Sequence, residues 1–110
     1  MRNLTMLTDL YQLTMMYGYY RCGMADRIGV FDLFFRKSPG GSGYAIAAGL
    51  EQAIDFINDL HFADEDLAYL RSLGLFDEDF LKLLKDFTFT GEIYAVPEGT
   101  VVFPYEPTIR

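Results

Sequence analysis

Two side chains in this 110-residue sequence suggest chemistry beyond packing and solvation. Tyr11 lies on the same helical side as Thr14, Met15 and Gly18, and the glycine's missing side chain leaves room above a ring. Such a tyrosine is either part of a second packing face or a platform on which a flat ring stacks in offset geometry. Arg36 ends an otherwise apolar period-two face that carries Ile28, Val30, Asp32 and Phe34. It either pairs with Asp32 on that face or clamps a phosphate or carboxylate, groups that match the planar guanidinium fork.

The remaining candidates have plainer readings. His61 has no neighbouring Cys or His, so zinc spacing is missing, and it falls at a helix C-terminus where a cation is favourable. Ser38 to Gly43 reads SPGGSG, which has neither the Gly-x-Gly-x-x-Gly order nor a following Gly-Lys-Ser/Thr; it is a turn. The runs Asp64-Glu65-Asp66 and Asp77-Glu78-Asp79 stand at helix starts, where capping and solvation account for them better than a metal. No Ser/His/Asp set can be assembled. Cys22 is the single cysteine, which rules out an internal disulfide framework and fits a reducing cytoplasmic setting; of its two readings, a small buried hydrophobe is favoured over a reactive nucleophile.

Composition sets wider limits. Nine basic and 16 acidic residues leave a formal charge of −7, which argues against a general nucleic-acid binder but not against small anions held by local arginines. At 51% apolar and 16% aromatic the chain has the makings of a core, and its length suits one domain. No basic leader followed by an apolar stretch opens the chain, and no apolar run approaches the roughly 20 residues that span a bilayer. These features predict a soluble intracellular protein.

The elements that must position Tyr11 and Arg36 follow from periodicity. The first is a helix with Thr8 as N-cap, Asp9 in its first turn and Gly23 as its stop. Leu10, Leu13, Tyr17 and Tyr20 form its core stripe, and the side bearing Tyr11 and Met15 is apolar too. A surface helix of a monomer would be polar there, so another part of a longer chain, another subunit or a ligand must cover it. Residues 28–37 read as a strand, with Phe31, Leu33 and Phe35 on a core face. Tyr44 to Ala48 is a candidate second strand bonded to it. Three short helices follow, carrying stripes at Leu50/Ala53/Ile54/Ile57/Leu60, Leu67/Leu70/Leu73 and Phe80/Leu81/Leu84/Phe87. Asp64 and Asp77 are the expected caps of the second and third, and Gly74 the stop between them. The tail is β, with strands at 91–96 and 100–103, and the chain stops at Thr108-Ile109-Arg110 as if entering another, which reads as a cut.

Against this background several blocks become distinctive. Leu7-Thr8-Asp9-Leu10-Tyr11-Gln12-Leu13-Thr14-Met15 with Tyr17-Gly18-Tyr19, and Phe31-Asp32-Leu33-Phe34-Phe35-Arg36 with its Gly-rich turn, closely resemble the opening of nicotinate phosphoribosyltransferases. So do Gly43-Tyr44-Ala45-Ile46-Ala47-Ala48-Gly49-Leu50, Tyr69 to Gly74, Phe87 to Gly91, and Ala95-Val96-Pro97-Glu98-Gly99, in the same order over essentially the whole chain.

The resemblance implies an α+β fold: the α/β sandwich-like N-terminal domain of a type II phosphoribosyltransferase, with a helical segment flanked by antiparallel β segments. It implies that residues 1–110 are an incomplete N-terminal domain lacking the C-terminal α/β barrel. It also implies a cytoplasmic enzyme of NAD salvage. Such enzymes join nicotinate to 5-phosphoribosyl 1-diphosphate, coupled to ATP hydrolysis with Mg2+ through a phosphorylated histidine. They work as homodimers with a shared active site, without nucleic acid or membrane. By the resemblance Tyr11 stacks on the nicotinate ring and Arg36 meets a phosphate of the ribosyl donor, while Asp9 is structural. No catalytic and no metal-binding residue lies in this stretch, His61 is outside the phosphohistidine motif, and these 110 residues alone turn over no nicotinate. The alternatives are a non-catalytic module that pairs with itself or a partner through its apolar face, or a relative using nicotinamide or quinolinate.

Overall fold

The computed structural model describes residues 2–110. Four α-helices, α1 (Leu10–Arg21), α2 (Leu50–Asn58), α3 (Asp64–Ser72) and α4 (Glu78–Lys85), combine with two short strands, β1 (Ala45–Ile46) and β2 (Val101–Val102). A 3-10 turn covers Pro39–Gly41. The helical segment α2–α4 thus lies in sequence between antiparallel β segments, as the α+β reading expects. The chain divides into two units, one of residues up to Ile28 with Phe56–Phe89, the other of Gly29–Asp55 with Thr90–Arg110.

The first unit is helical and holds the principal core. Leu13 of α1, Phe62, Leu67 and Leu70 of α3, and Phe80, Leu81 and Leu84 of α4 are buried together. Phe80 is 1% exposed and meets three rings, with centroids 5.1 Å away at Tyr17, 5.7 Å at Tyr20 and 5.4 Å at Phe76. The stripes expected on α1, α3 and α4 supply most of these residues because side chains three and four apart share a helix face. Leu10, placed on the same stripe, is exposed instead.

Local signals set the helix ends, with two corrections. Asp9, not Thr8, is the N-cap of α1; its N–H donates to Gln12 Oε1 at 3.1 Å, and the Thr8 hydroxyl donates to the same oxygen. Ala63, not Asp64, is the N-cap of α3, and its N–H is taken by Asp66 Oδ2 at 2.9 Å. In both, the longer reach of a side chain three residues inside the helix satisfies the cap backbone, so the boundary moves by one. Asp77 caps α4 as expected, accepting from Phe80 N–H at 2.8 Å. Gly23 and Gly74 end α1 and α3 with φ of 70° and 69°, a left-handed turn that costs glycine nothing. Cys22 is exposed at the C-cap of α1, contrary to the buried role expected, since nine positions after the buried Leu13 it falls on the opposite side of the helix.

The Asp77 carboxylate also accepts from Arg21 Nη1 at 3.2 Å and from the Tyr17 hydroxyl at 3.3 Å. The Phe80 N–H bond above all, then Arg21 and Tyr17, holds its carboxyl below the usual aspartate range. Its contribution is therefore present above the unfolded value of about 4 and lost as pH falls through the lower folded value. Below about pH 4 the thermal midpoint of the wild type should fall more steeply than that of Asp77→Asn; equal slopes would discount the carboxylate.

The second unit is built on long-range β pairing. β1 and β2 are antiparallel with Ala45 opposite Val102 and Ile46 opposite Val101. The expected partner of β1, the 28–37 segment, is not beside it in the ladder. That segment forms a single bridge, Leu33 to Ile109, and bends at Arg36 and Lys37, while Ile109 also bridges to Ala95. The 91–96 strand is likewise reduced to one bridge, with two 2.6 Å bonds between Tyr94 and Arg110. One ladder position does not make a strand, because regular strand structure needs consecutive paired residues. The core face expected from Phe31, Leu33 and Phe35 is not realised: Phe31 is 83% exposed, Leu33 is exposed and Phe35 half-buried.

Candidate functional site

Tyr11 belongs to the first turn of α1, on the side away from the buried Leu13. It is 60% exposed, and Met15 one turn later is exposed as well. A Cβ built on Gly18 meets nothing within 4 Å, so the backbone there faces open space. The second side of α1 is thus apolar, uncovered and headed by an aromatic ring, which suits stacking with a flat ligand.

Arg36 is in the second unit, so the two sequence candidates sit in different units of the chain. The ion pair with Asp32 expected from the shared strand face does not form. Asp32 instead accepts from Arg110, at 2.6 Å from Nε and 3.3 Å from Nη2. Among the described residues Arg36 is exposed and has no ion-pair partner. Arg110 is the largest influence on Asp32, lowering its carboxyl pKa by hydrogen bonding, and Asp32 in turn raises that of the guanidinium. An exposed, unpaired guanidinium can receive an anion with little local competition.

The other candidates take structural roles. His61 follows α2; its Nδ1 lies 2.6 Å from the Asp59 carbonyl, and its backbone N–H donates to Thr5 Oγ1 at 3.2 Å. Of the acidic runs, Asp66 and Asp77 serve caps, Glu78 takes a two-pronged contact from Arg71 at 2.6 and 3.1 Å, and Asp64 pairs with Lys85 at 3.6 Å. Among the described residues no group of three or more His, Cys, Asp or Glu side chains is placed to hold a metal ion. No helix among them is long and apolar enough to cross a membrane.

Two of the long-range contacts that sequence reasoning missed lie in the second unit. One is Arg110 with Asp32. The other is Glu98, read as a turn residue, whose carboxylate accepts from the Gly49 and Leu50 N–H groups at 3.1 and 2.7 Å and so closes the start of α2. The available signal was the missing local cap: Ala48-Gly49 offers no side-chain acceptor, so a distant one was needed. An apolar cleft of about 180 Å³ in this unit is bordered by Phe35, Ala45 and Val102. Its charged lining residue, Glu98, is already engaged by α2, and Arg36 is not part of the lining.

Comparison with known proteins fits this arrangement. Residues 6–110 match the family described as the nicotinate phosphoribosyltransferase (NAPRTase) N-terminal domain. A nicotinate phosphoribosyltransferase of Mycobacterium tuberculosis is 45% identical over 105 residues, covering 96% of this chain and 22% of that protein. That of Bacillus subtilis is 43% identical over 108 residues, covering 98% of this chain and 22% of the relative. The crystal structure of human nicotinic acid phosphoribosyltransferase superposes with a TM-score of 0.82 at 38% identity, over 93% of this chain and 21% of that one. The chain therefore spans about a fifth of the length of these relatives. Its matched stretch, its fold and its sequence identity to the relatives agree: the chain belongs to the nicotinate phosphoribosyltransferase N-terminal domain family.

Proposed function

We propose that these residues are the N-terminal, substrate-completing part of a nicotinate phosphoribosyltransferase. The complete enzyme joins nicotinate to 5-phosphoribosyl 1-diphosphate with ATP, giving nicotinate mononucleotide and diphosphate for NAD salvage. In this reading Tyr11 stacks on the pyridine ring and Arg36 neutralises a donor phosphate. Neither is a general acid or base. The reaction passes through an oxocarbenium-like sugar, for which orientation of the pyridine and stabilisation of the leaving diphosphate matter most.

The observation that carries the reading is the exposed Tyr11 ring on an uncovered apolar side of α1, inside the motif that matches this family. That side is completed by the barrel domain or a second subunit of a cytoplasmic homodimer. In this reading ATP and its metal belong to the rest of the enzyme.

In the full-length enzyme Tyr11→Ala should raise the KM for nicotinate about 2- to 10-fold, the worth of one lost stack. The donor KM should stay within about twofold, and Tyr11→Phe should retain most of the wild-type value because the stacking face survives. Unchanged nicotinate dependence in the alanine variant would remove Tyr11 from the site.

A further inference from the structure

We infer that Asp32 is a positioning residue for Arg36: engaged by Arg110, it helps tie down residues 32–35, which lead into the bend at Arg36 and so set where its guanidinium stands for the donor phosphates. This rests on the role proposed above for Arg36.

Three successive ties bind this segment to residues 105–110. The Asp32 carboxylate receives both Nε and Nη2 of Arg110, at 2.6 and 3.3 Å, which sets a plane as well as a distance. Leu33 donates its N–H to the Ile109 carbonyl at 2.9 Å. Its own carbonyl accepts from the Thr108 N–H at 2.9 Å and from the Thr108 hydroxyl at 3.1 Å. The Phe35 carbonyl accepts from the Tyr105 N–H at 2.8 Å, and Phe34 lies against the Tyr105 ring with centroids 5.7 Å apart. The last backbone tie is therefore in the peptide unit that leads into Arg36.

Charge supports the same assignment. Without Arg110, Asp32 would be an unneutralised anion four residues before Arg36. It would add a negative charge to the segment that presents Arg36 to an anionic donor. The pair is also half-exposed, with side-chain exposures of 55% and 37%, and exposed pairs add little to global stability. Its loss should therefore appear in substrate handling rather than in unfolding.

The test is steady-state kinetics of the full-length enzyme. Asp32→Ala and Arg110→Ala should each raise the KM for 5-phosphoribosyl 1-diphosphate about tenfold, as expected for a misplaced binding group. The nicotinate KM, kcat and thermal midpoint should stay near wild type, and Asp32→Glu should recover part of the loss. The exchanged pair Asp32→Arg with Arg110→Asp should do better than either alanine variant. Adding Asp32→Ala to Arg36→Ala should raise the donor KM no further than Arg36→Ala alone, because Asp32 acts through Arg36. If Arg36→Ala raises the donor KM but Asp32→Ala does not, or if the two effects add in full, the inference is overturned and Arg36 keeps its role. A normal donor KM in Arg36→Ala would overturn the role of Arg36 itself.

Discussion

On the role proposed for Arg36, replacing it by alanine in the full-length enzyme should raise the KM for 5-phosphoribosyl 1-diphosphate by roughly 10- to 100-fold. Hydrogen bonds to charged groups are worth about 1.5–3 kcal/mol, and each 1.4 kcal/mol is a factor of ten. The effect should be confined to the donor, because the proposed reading gives the nicotinate ring to Tyr11 and only the donor phosphate to Arg36. Folding should be little affected, since Arg36 is exposed and gives up no ion pair among the described residues. Arg36→Lys should recover only part of the loss, as an ammonium keeps the charge but not the planar fork. Initial-rate measurements with the donor varied at saturating nicotinate decide the matter. Normal donor kinetics with a lowered thermal midpoint would make Arg36 a packing residue.

The largest loss of stability is expected at Phe80. Its side chain is 1% exposed and in contact with three aromatic rings, so Phe80→Ala leaves a cavity that the surrounding helices cannot fill. Such truncations cost about 3–5 kcal/mol, a large share of the 5–15 kcal/mol that holds a typical domain. Phe31 makes the contrast. It is 83% exposed in this chain, and Phe31→Ala should change the stability of the isolated 110 residues by no more than about 0.5 kcal/mol. Denaturant midpoints of the two variants measure the difference. Equal losses would mean that Phe31 is packed in solution and Phe80 is not the keystone of the helical core.

These two phenylalanines also show which part of the architecture the sequence made readable. Phe80 was placed inside because its neighbours Leu81, Leu84 and Phe87 repeat at helical spacing and Asp77 announces the helix start, all within eleven residues. Phe31 was placed inside by alternation, which says which residues share a face but not whether anything lies against it. The candidate site divides in the same way. Tyr11 and Arg36 stood out from their positions in local patterns. That Asp32 is engaged elsewhere depends on Arg110, 78 residues beyond it, a distance over which spacing carries no information. Glu98 escaped notice for the same reason, its partners being 48 and 49 residues away.

The bridging position of Ile109, between Leu33 and Ala95, has a kinetic consequence. Helices α3 and α4 meet across the short connection 73–77, a closure that costs little chain entropy. The 33–109 bridge joins residues far apart in sequence, and Arg110 reaches Asp32 over a similar span. Long-range pairings of this kind are paid for in entropy before their contacts form, so they are slow. On a ribosome the helical hairpin can assemble while the segment carrying Arg36 still waits for residues 105–110 to emerge. The guanidinium assigned to the donor is thus among the last features of this chain to acquire its native setting.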